Sequence, residues 1–169
     1  MKFVFNKKQY TTDHCFICGE KNVAGLQMRF YETPDRQCVG VFTGRPEHCS
    51  YPGRMHGGVI SAILDETVGR AAELENPGTF GVTTTLTVTF RRPVPLGVEL
   101  CCVGWLTQNK PRMFEGVGKI LLPDGKVAAE AKAVYMRLPM ESLMQDGQEV
   151  MHTEPRPDDL SEFDLPDPE

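Results

Sequence analysis

The chain contains no apolar run approaching the ~20 residues of a membrane-spanning helix, so no helical membrane span and no membrane partner is expected. Nor does it cluster Lys and Arg with interleaved aromatics, the footprint of proteins that follow a phosphate backbone, so nucleic acid is not an expected partner. There is no G-x-S-x-G elbow. Ser50, His48 and Asp65 can be written as a Ser-His-Asp set, but no nucleophile turn accompanies them. Cys15-x-x-Cys18 has no second C-x-x-C or C-x-x-H to complete a four-ligand zinc site. With Cys38, His48 and Cys49 as the remaining donors, the reading is thiols and no metal. Phe3-Val4-Phe5 is too short, and too soon followed by Lys7-Lys8, to be a signal-peptide core. The expectation is a cytoplasmic protein whose six cysteines stay reduced.

What is present fits one core. The 169 residues with 40% hydrophobic content suffice for a single domain and a tail. The net charge of −5 is unevenly spread. From Glu141 onward there are ten acidic residues against one basic, a contribution of −9. Residues 1–140 hold seventeen basic against thirteen acidic and carry +4. A mildly basic body suits a small anionic ligand. The segment 141–169 is acidic, contains Pro155, Pro157, Pro166 and Pro168, and has few apolar residues to offset ordering entropy. It is expected to be a disordered tail behind a domain of residues 1–140.

Helical periodicity is sustained from Met55 to Glu75, with Ile60, Ile63, Leu64, Val68 and Ala71 on one stripe. A second stripe of Gly58, Ser61, Ala62, Asp65, Gly69 and Ala72 is small-sided and would admit another backbone, with Asp65 in the middle of that contact. Glu66 has Arg70 four residues on and is expected to form a solvated ion pair. Asp65 has Ser61 and Gly69 at those offsets, so its carboxylate needs another reason. His56-Gly57-Gly58 opens the helix, where free N–H groups and the positive end of the dipole could meet an oxyanion. Such a Gly-Gly also serves as a plain tight turn.

Strands are expected at 26–31 and 37–43 before the helix, and at 82–90, 98–106, 113–122 and 126–136 after it. In the first of the later four, Val82, Leu86, Val88 and Phe90 would share an apolar face, with Thr83, Thr85, Thr87 and Thr89 opposite. In the last, Val127, Ala129, Ala131 and Ala133 are small enough to admit a helix closely. One long helix with about six strands is an α+β arrangement.

Four motifs in this order resemble the hotdog-fold acyl-CoA thioesterases of the PaaI-like branch. They are Cys15-x-x-Cys18-Gly19-x-x-Asn22-x-x-Gly25-Leu26, then Gly53-x-x-His56-Gly57-Gly58, then Asp65, then Phe90-x-Arg92-Pro93-Val94-x-x-Gly97. The likeness covers residues 13–138. It implies an antiparallel sheet wrapped round one long central helix, and sheets joined edge to edge in a homodimer or a dimer of dimers. It also implies an acyl-CoA substrate, with coenzyme A entering as part of that substrate and no other cofactor. In such a site the Gly57 N–H polarises the thioester carbonyl, Asp65 is nucleophile or general base, and His56 and Gly58 hold the substrate at the helix start; eight residues of helix put Gly57 and Asp65 about 12 Å apart, so the acting Asp65 is expected from the other subunit. Many relatives carry Asn or Gln where this chain has Ser50, whose hydroxyl can still bond a water. Arg91 and Arg92 are candidates for the phosphates of coenzyme A. The alternative is a non-catalytic acyl-CoA-binding module on the same fold. A dehydratase of this fold wants His five residues after the Asp, where this chain has Arg70.

Overall fold

Helix α1 (Gly57–Glu75) forms where the periodicity places it, capped by His56 at one end and Asn76 at the other. The computed structural model describes residues 1–78, 80–139, 151 and 153–165. The apolar stripe Ile60, Ile63, Leu64 and Val68 is buried against the sheet, and each such side chain contributes about 1.5–3 kcal/mol on burial.

The strands are β1 (Lys2–Val4), β2 (Lys7–Lys8), β3 (Arg29–Glu32), β4 (Cys38–Thr43), β5 (Gly81–Phe90), β6 (Glu99–Asn109), β7 (Met113–Leu121), β8 (Val127–Arg137) and β9 (Glu162–Asp164). Seven of them form one antiparallel sheet in the order β2-β3-β4-β6-β7-β8-β5, and β1 pairs with β9 in a separate two-stranded ribbon. Helix α1 packs across β4, β5, β6, β7 and β8, the expected sheet around one central helix. The expected strand at 26–31 starts late, at Arg29. Gln27 takes a positive φ of 51°, and its side chain bonds Glu20 O at 2.7 Å, which turns the chain before the ladder begins.

Close approach of helix to sheet rests on small residues. A Cβ at Gly116 or Gly118 of β7 would stand 2.7 or 2.8 Å from Val68, and one at Gly104 of β6 would stand 3.0 Å from the Thr67 carbonyl. Ala129, Ala131 and Ala133 of β8 are buried beneath the helix, as their alternation requires. Val127 packs instead with the cluster on the other face, after a register shift between Ile120 and Leu121.

The C-terminal segment differs from the expectation over 153–165. Phe163 and Leu165 are buried, and Leu160 packs beside them, against Phe3, Tyr31, Val39, Val41, Cys101 and Val103 on the sheet face away from α1. Charge complementarity adds to this: Lys8 pairs with Asp159 at 2.9 Å, Arg29 with Asp158 at 3.2 Å, and Arg156 with Glu20 at 3.1 Å. Leu160 N–H donates to the Tyr31 hydroxyl at 3.1 Å. Composition averaged over the whole tail hides these three apolar residues, and the acids that suggest disorder meet cations of the body. The remainder of 141–169 lies outside the described residues.

Deleting 153–169 should therefore lower Tm by at least about 5 °C, since a kcal/mol shifts Tm by about 2–4 °C in a chain of this size. Unchanged melting in a calorimetric scan would show that the ribbon adds no stability.

Candidate active site

The helix start is built by the loop before it. A 3₁₀ turn at Pro46–His48 buries His48, whose Nδ1 accepts from Arg45 N–H at 3.0 Å and whose Nε2–H meets Ala24 O at 3.0 Å. Both ring nitrogens are thus in structural use, which removes His48 as a base for Ser50. His48 O in turn accepts from His56 N–H at 2.8 Å and sets the helix cap. Ser50 is exposed in the same loop, its backbone closed on Arg54 O at 2.8 Å.

His56 caps the helix with its own ring: Gly58 N–H donates to Nδ1 at 2.9 Å. A neutral His56 therefore carries its proton on Nε2, and the ring is exposed. Gly58 suits this cap because a Cβ there would stand 3.0 Å from Nδ1. The bond also changes what each glycine can offer. Gly58 N–H is engaged by His56, whereas Gly57 N–H, in the first turn, has no acceptor within the helix. A Cβ at Gly57 would touch the Phe90 ring at 3.5 Å, so the end of β5 stands over the helix start. Arg91 and Arg92 follow directly. Arg91 pairs with Glu130, and Arg92 Nη1 donates to Val127 O at 2.7 Å, both exposed.

Asp65 lies two turns further along, half-buried at a cavity of about 190 Å³ whose walls include Tyr10, Arg70, Phe80, Thr83 and Tyr135. Its Oδ1 accepts from Thr83 Oγ1 at 2.8 Å and from Tyr135 OH at 3.2 Å, and Tyr135 OH also reaches the Asp65 carbonyl at 2.7 Å. Burial holds the carboxyl above its ordinary 3.8, the two donors pull it back down, and the neighbouring Glu66 pushes it up. Burial and the adjacent Asp65 charge push the Tyr135 phenol up, which keeps it a donor at neutral pH.

Thr83 and Tyr135 hold the candidate carboxylate, and neither stands out in the sequence. Strict alternation puts Thr83 on the face opposite Leu86. A bulge between Thr83 and Thr85 shifts the register, so Thr83 pairs with Tyr135 while Leu86 pairs with Ala133, and all four turn toward α1. The small-sided stripe is likewise only partly open. Ala72 is buried, and a Cβ at Gly69 would stand 3.3 Å from the Tyr135 ring, so that glycine admits β8 of its own chain.

Arg70 also departs from expectation, since its pair with Glu66 is not solvated. It is buried, bonds Glu66 at 2.8 Å, Tyr10 O at 2.9 Å and Cys18 Sγ at 3.1 Å, and lies 4.5 and 4.3 Å from the Tyr10 and Phe30 ring centroids. None of the six cysteines is in a disulfide. Cys38, His48 and Cys49 do not join Cys15 and Cys18. Among the described residues, the group of metal-type donors drawn together is Cys15, Cys18 and Glu66. No helix among the described residues is long and apolar enough to cross a membrane.

Gly57 and Asp65 do not meet within one chain. Eight residues of helix separate them by about 12 Å, and the cavity at Asp65 includes neither Gly57 nor His56.

Known proteins share this architecture. Acyl-coenzyme A thioesterase THEM4 of Mus musculus is 34% identical over 113 residues, 66% of this chain and 48% of that protein. Its namesake from Xenopus laevis is 31% identical over 116 residues, 64% and 49% of the two. The chain thus spans about half the length of the curated relatives it matches. A crystal structure of a thioesterase superfamily protein superposes with a TM-score of 0.67 at 27% identity, covering 73% of this chain and 63% of that one. The E. coli PaaI protein from the phenylacetic acid degradation operon shares the fold, with a TM-score of 0.61 at 18% identity over 68% of this chain and 81% of its own. The thioesterase superfamily profile matches residues 52–129, the stretch that holds α1, β5, β6, β7 and the start of β8. With its antiparallel sheet around one helix, this chain has the hotdog fold, and its residues 52–129 match the thioesterase superfamily.

Proposed function

We propose that this protein hydrolyses an acyl-CoA thioester at a site shared by two copies of the chain. The observation that carries the reading is the Asp65 carboxylate. It is half-buried, has one oxygen held by Thr83 and Tyr135, and sits on the helix whose N-terminus presents the Gly57 N–H. With Oδ1 fixed, Oδ2 is the oxygen left to act. Asp65 attacks the thioester carbon to give an anhydride that water then cleaves, or it takes a proton from the water that attacks the carbon directly. The carbonyl oxygen gains charge against Gly57 N–H, and coenzyme A leaves as a thiolate that needs little protonation. His56, with Nε2–H outward, and Gly58 shape the helix start on which the substrate rests. Ser50 can bond a water there, and Arg91 and Arg92 stand at the same end for the phosphates.

Two copies are required because a carbonyl about 3 Å from Gly57 N–H is out of reach of Asp65 on the same helix. Strand β5 is a ten-residue sheet edge, largely exposed, whereas the opposite edge is the two-residue β2 with Lys7 and Lys8. A long uncharged edge invites pairing, and a two-fold axis there joins two sheets and sets antiparallel helices side by side. The half-open positions Ser61, Ala62 and Asp65 then face the second copy. The unit in this reading is a homodimer, alone or as a dimer of dimers. It acts in the cytoplasm, a reducing compartment that suits its six thiols.

Asp65→Asn should lower kcat at least about 100-fold in an assay of free thiol released from acyl-CoAs, with the fold retained. Binding without turnover in the native protein would instead make it an acyl-CoA-binding module.

The acid limb of the pH profile offers a second check. Asp65 works ionised, and Thr83 favours that form, so Thr83→Val should raise the Asp65 pKa and move the acid limb of kcat/KM to higher pH. A limb that stays in place or moves down would detach Thr83 from the working carboxylate.

The shared site is tested by complementation. His56 has φ −67° and ψ 137°, the backbone a following proline requires, so Gly57→Pro removes the N–H with little disturbance. Asp65→Asn and Gly57→Pro proteins, each nearly inactive, should recover about a quarter of native activity when unfolded together and refolded. Random pairing makes about half the dimers mixed, each with one intact site. A mixture that exchanges subunits yet stays as inactive as its parents would contradict the shared site.

A further inference from the structure

The Cys15-Phe16-Ile17-Cys18 turn has no part in the proposed hydrolysis, yet it brings two sulfurs and the only buried guanidinium among the described residues together. Cys15 Sγ, Cys18 Sγ and a Glu66 carboxylate oxygen lie within 4.8 Å of one another. The turn is tight: Gly19 N–H donates to Cys15 O at 2.9 Å, and Cys15 Sγ accepts from Ile17 N–H at 3.3 Å and Cys18 N–H at 3.4 Å. Arg70 Nη2 donates to Cys18 Sγ at 3.1 Å while Nε holds Glu66 at 2.8 Å. Two of the three metal-type donors are therefore already bonded to a fixed cation, which repels a second cation and favours a thiolate. Cys15 is half-exposed and Cys18 is buried behind it.

We propose that Cys15 and Cys18 are a redox modification site, converted by peroxide to a reversible disulfide that removes the sulfur anion facing Arg70.

The chemistry of the two sulfurs differs in the way such a site needs. The Cys15 thiol donates to Cys18, and with Arg70 alongside this lowers Cys18 to about 6, while Cys15 is raised and keeps its proton. Burial instead pushes up Cys38, Cys101 and Cys102, which keeps those three inert. In the first step the Cys18 thiolate attacks one oxygen of hydrogen peroxide. An S–O bond forms, the O–O bond breaks, and the departing hydroxide takes a proton to become water. In the second step Cys15 sulfur gives up its proton and attacks the Cys18 sulfenic sulfur. The S–S bond forms, the S–O bond breaks, and a second water leaves. Two thiols and one peroxide yield one disulfide and two waters. The product has no negative charge at Cys18, so Arg70 loses one of its acceptors. Since Arg70 also lines the cavity at Asp65, the modification acts on that wall.

Trypsin isolates the pair, because cleavage after Lys8 and Lys21 releases residues 9–21 with no other cysteine. The native protein is treated with a small excess of hydrogen peroxide, quenched with N-ethylmaleimide at intervals, digested and weighed. The 9–21 peptide should lose two hydrogens and return to the dithiol with dithiothreitol. It should react at least about tenfold faster than Cys49, although Cys49 is the exposed thiol. In Cys15→Ser the reaction should stop at Cys18 sulfenic acid, trapped as a dimedone adduct. The proposal is overturned if Cys49 oxidises first while the 9–21 peptide still takes up two maleimides. It is equally overturned if the protein carries one zinc per chain by elemental analysis and the pair resists peroxide. Neither readout depends on acyl-CoA turnover, so the site and the hydrolase reading stand or fall separately.

Discussion

The close seating of α1 on the sheet is the constraint on which the rest of the molecule depends. It exists because the strands beneath the helix carry Gly104, Gly116, Gly118, Ala129, Ala131 and Ala133 where larger side chains would hold it off. A helix lifted by even one methyl layer would part Asp65 from Thr83 and Tyr135, whose bonds to it are 2.8 and 3.2 Å. Interiors packed to crystal density transmit such shifts rather than absorb them. The same small residues that fill the core thus fix the position of Asp65, a carboxylate with no basic partner on its own helix.

That seating also explains how a half-buried acid is tolerated. Desolvation disfavours the Asp65 charge, and two hydroxyl donors from neighbouring strands offset it without neutralising it. A cation at the same place would have tied the carboxylate up. Arg70, one and a half turns on, is instead committed to Glu66, Cys18 and the Tyr10 carbonyl, and its charge is absorbed between two rings. The helix therefore carries two polar systems on adjacent faces of one cavity, the ion pair of Arg70 and Glu66 and a carboxylate held by hydroxyls.

Much of this was legible in the residues. The helix follows from its apolar stripe, the later strands from alternation between turn residues, and Asp65 from its lack of a partner at four-residue offsets. Thr83 was not legible, because a bulge at Thr84 reverses the alternation and leaves no mark in the pattern of threonines and aliphatics. Tyr135 reads as one more aromatic in a strand, and only the fold places its hydroxyl on Asp65. His48 reads as a loop polar residue, since its bonds to Arg45 and Ala24 span turns that periodicity does not register. Arg70 looked solvated because the rings of Tyr10 and Phe30 arrive from distant segments. In the acidic tail, Leu160, Phe163 and Leu165 are too few and too irregularly spaced to stand out against the charge and proline around them.

The two ends of the proposed reaction, a free first-turn N–H at Gly57 and a held carboxylate at Asp65, lie on one helix yet face different surroundings. In the proposed dimer, each copy offers half of a site, and the two-fold supplies both halves twice. The most direct measurement is a crystal structure of the Asp65→Asn protein with an intact acyl-CoA. The account predicts the thioester carbonyl oxygen within hydrogen-bond distance of Gly57 N–H of one copy, and the Asn side chain of the second copy beside the carbonyl carbon. A thioester lodged against residues 57 and 65 of the same copy, or in contact with neither, would contradict it.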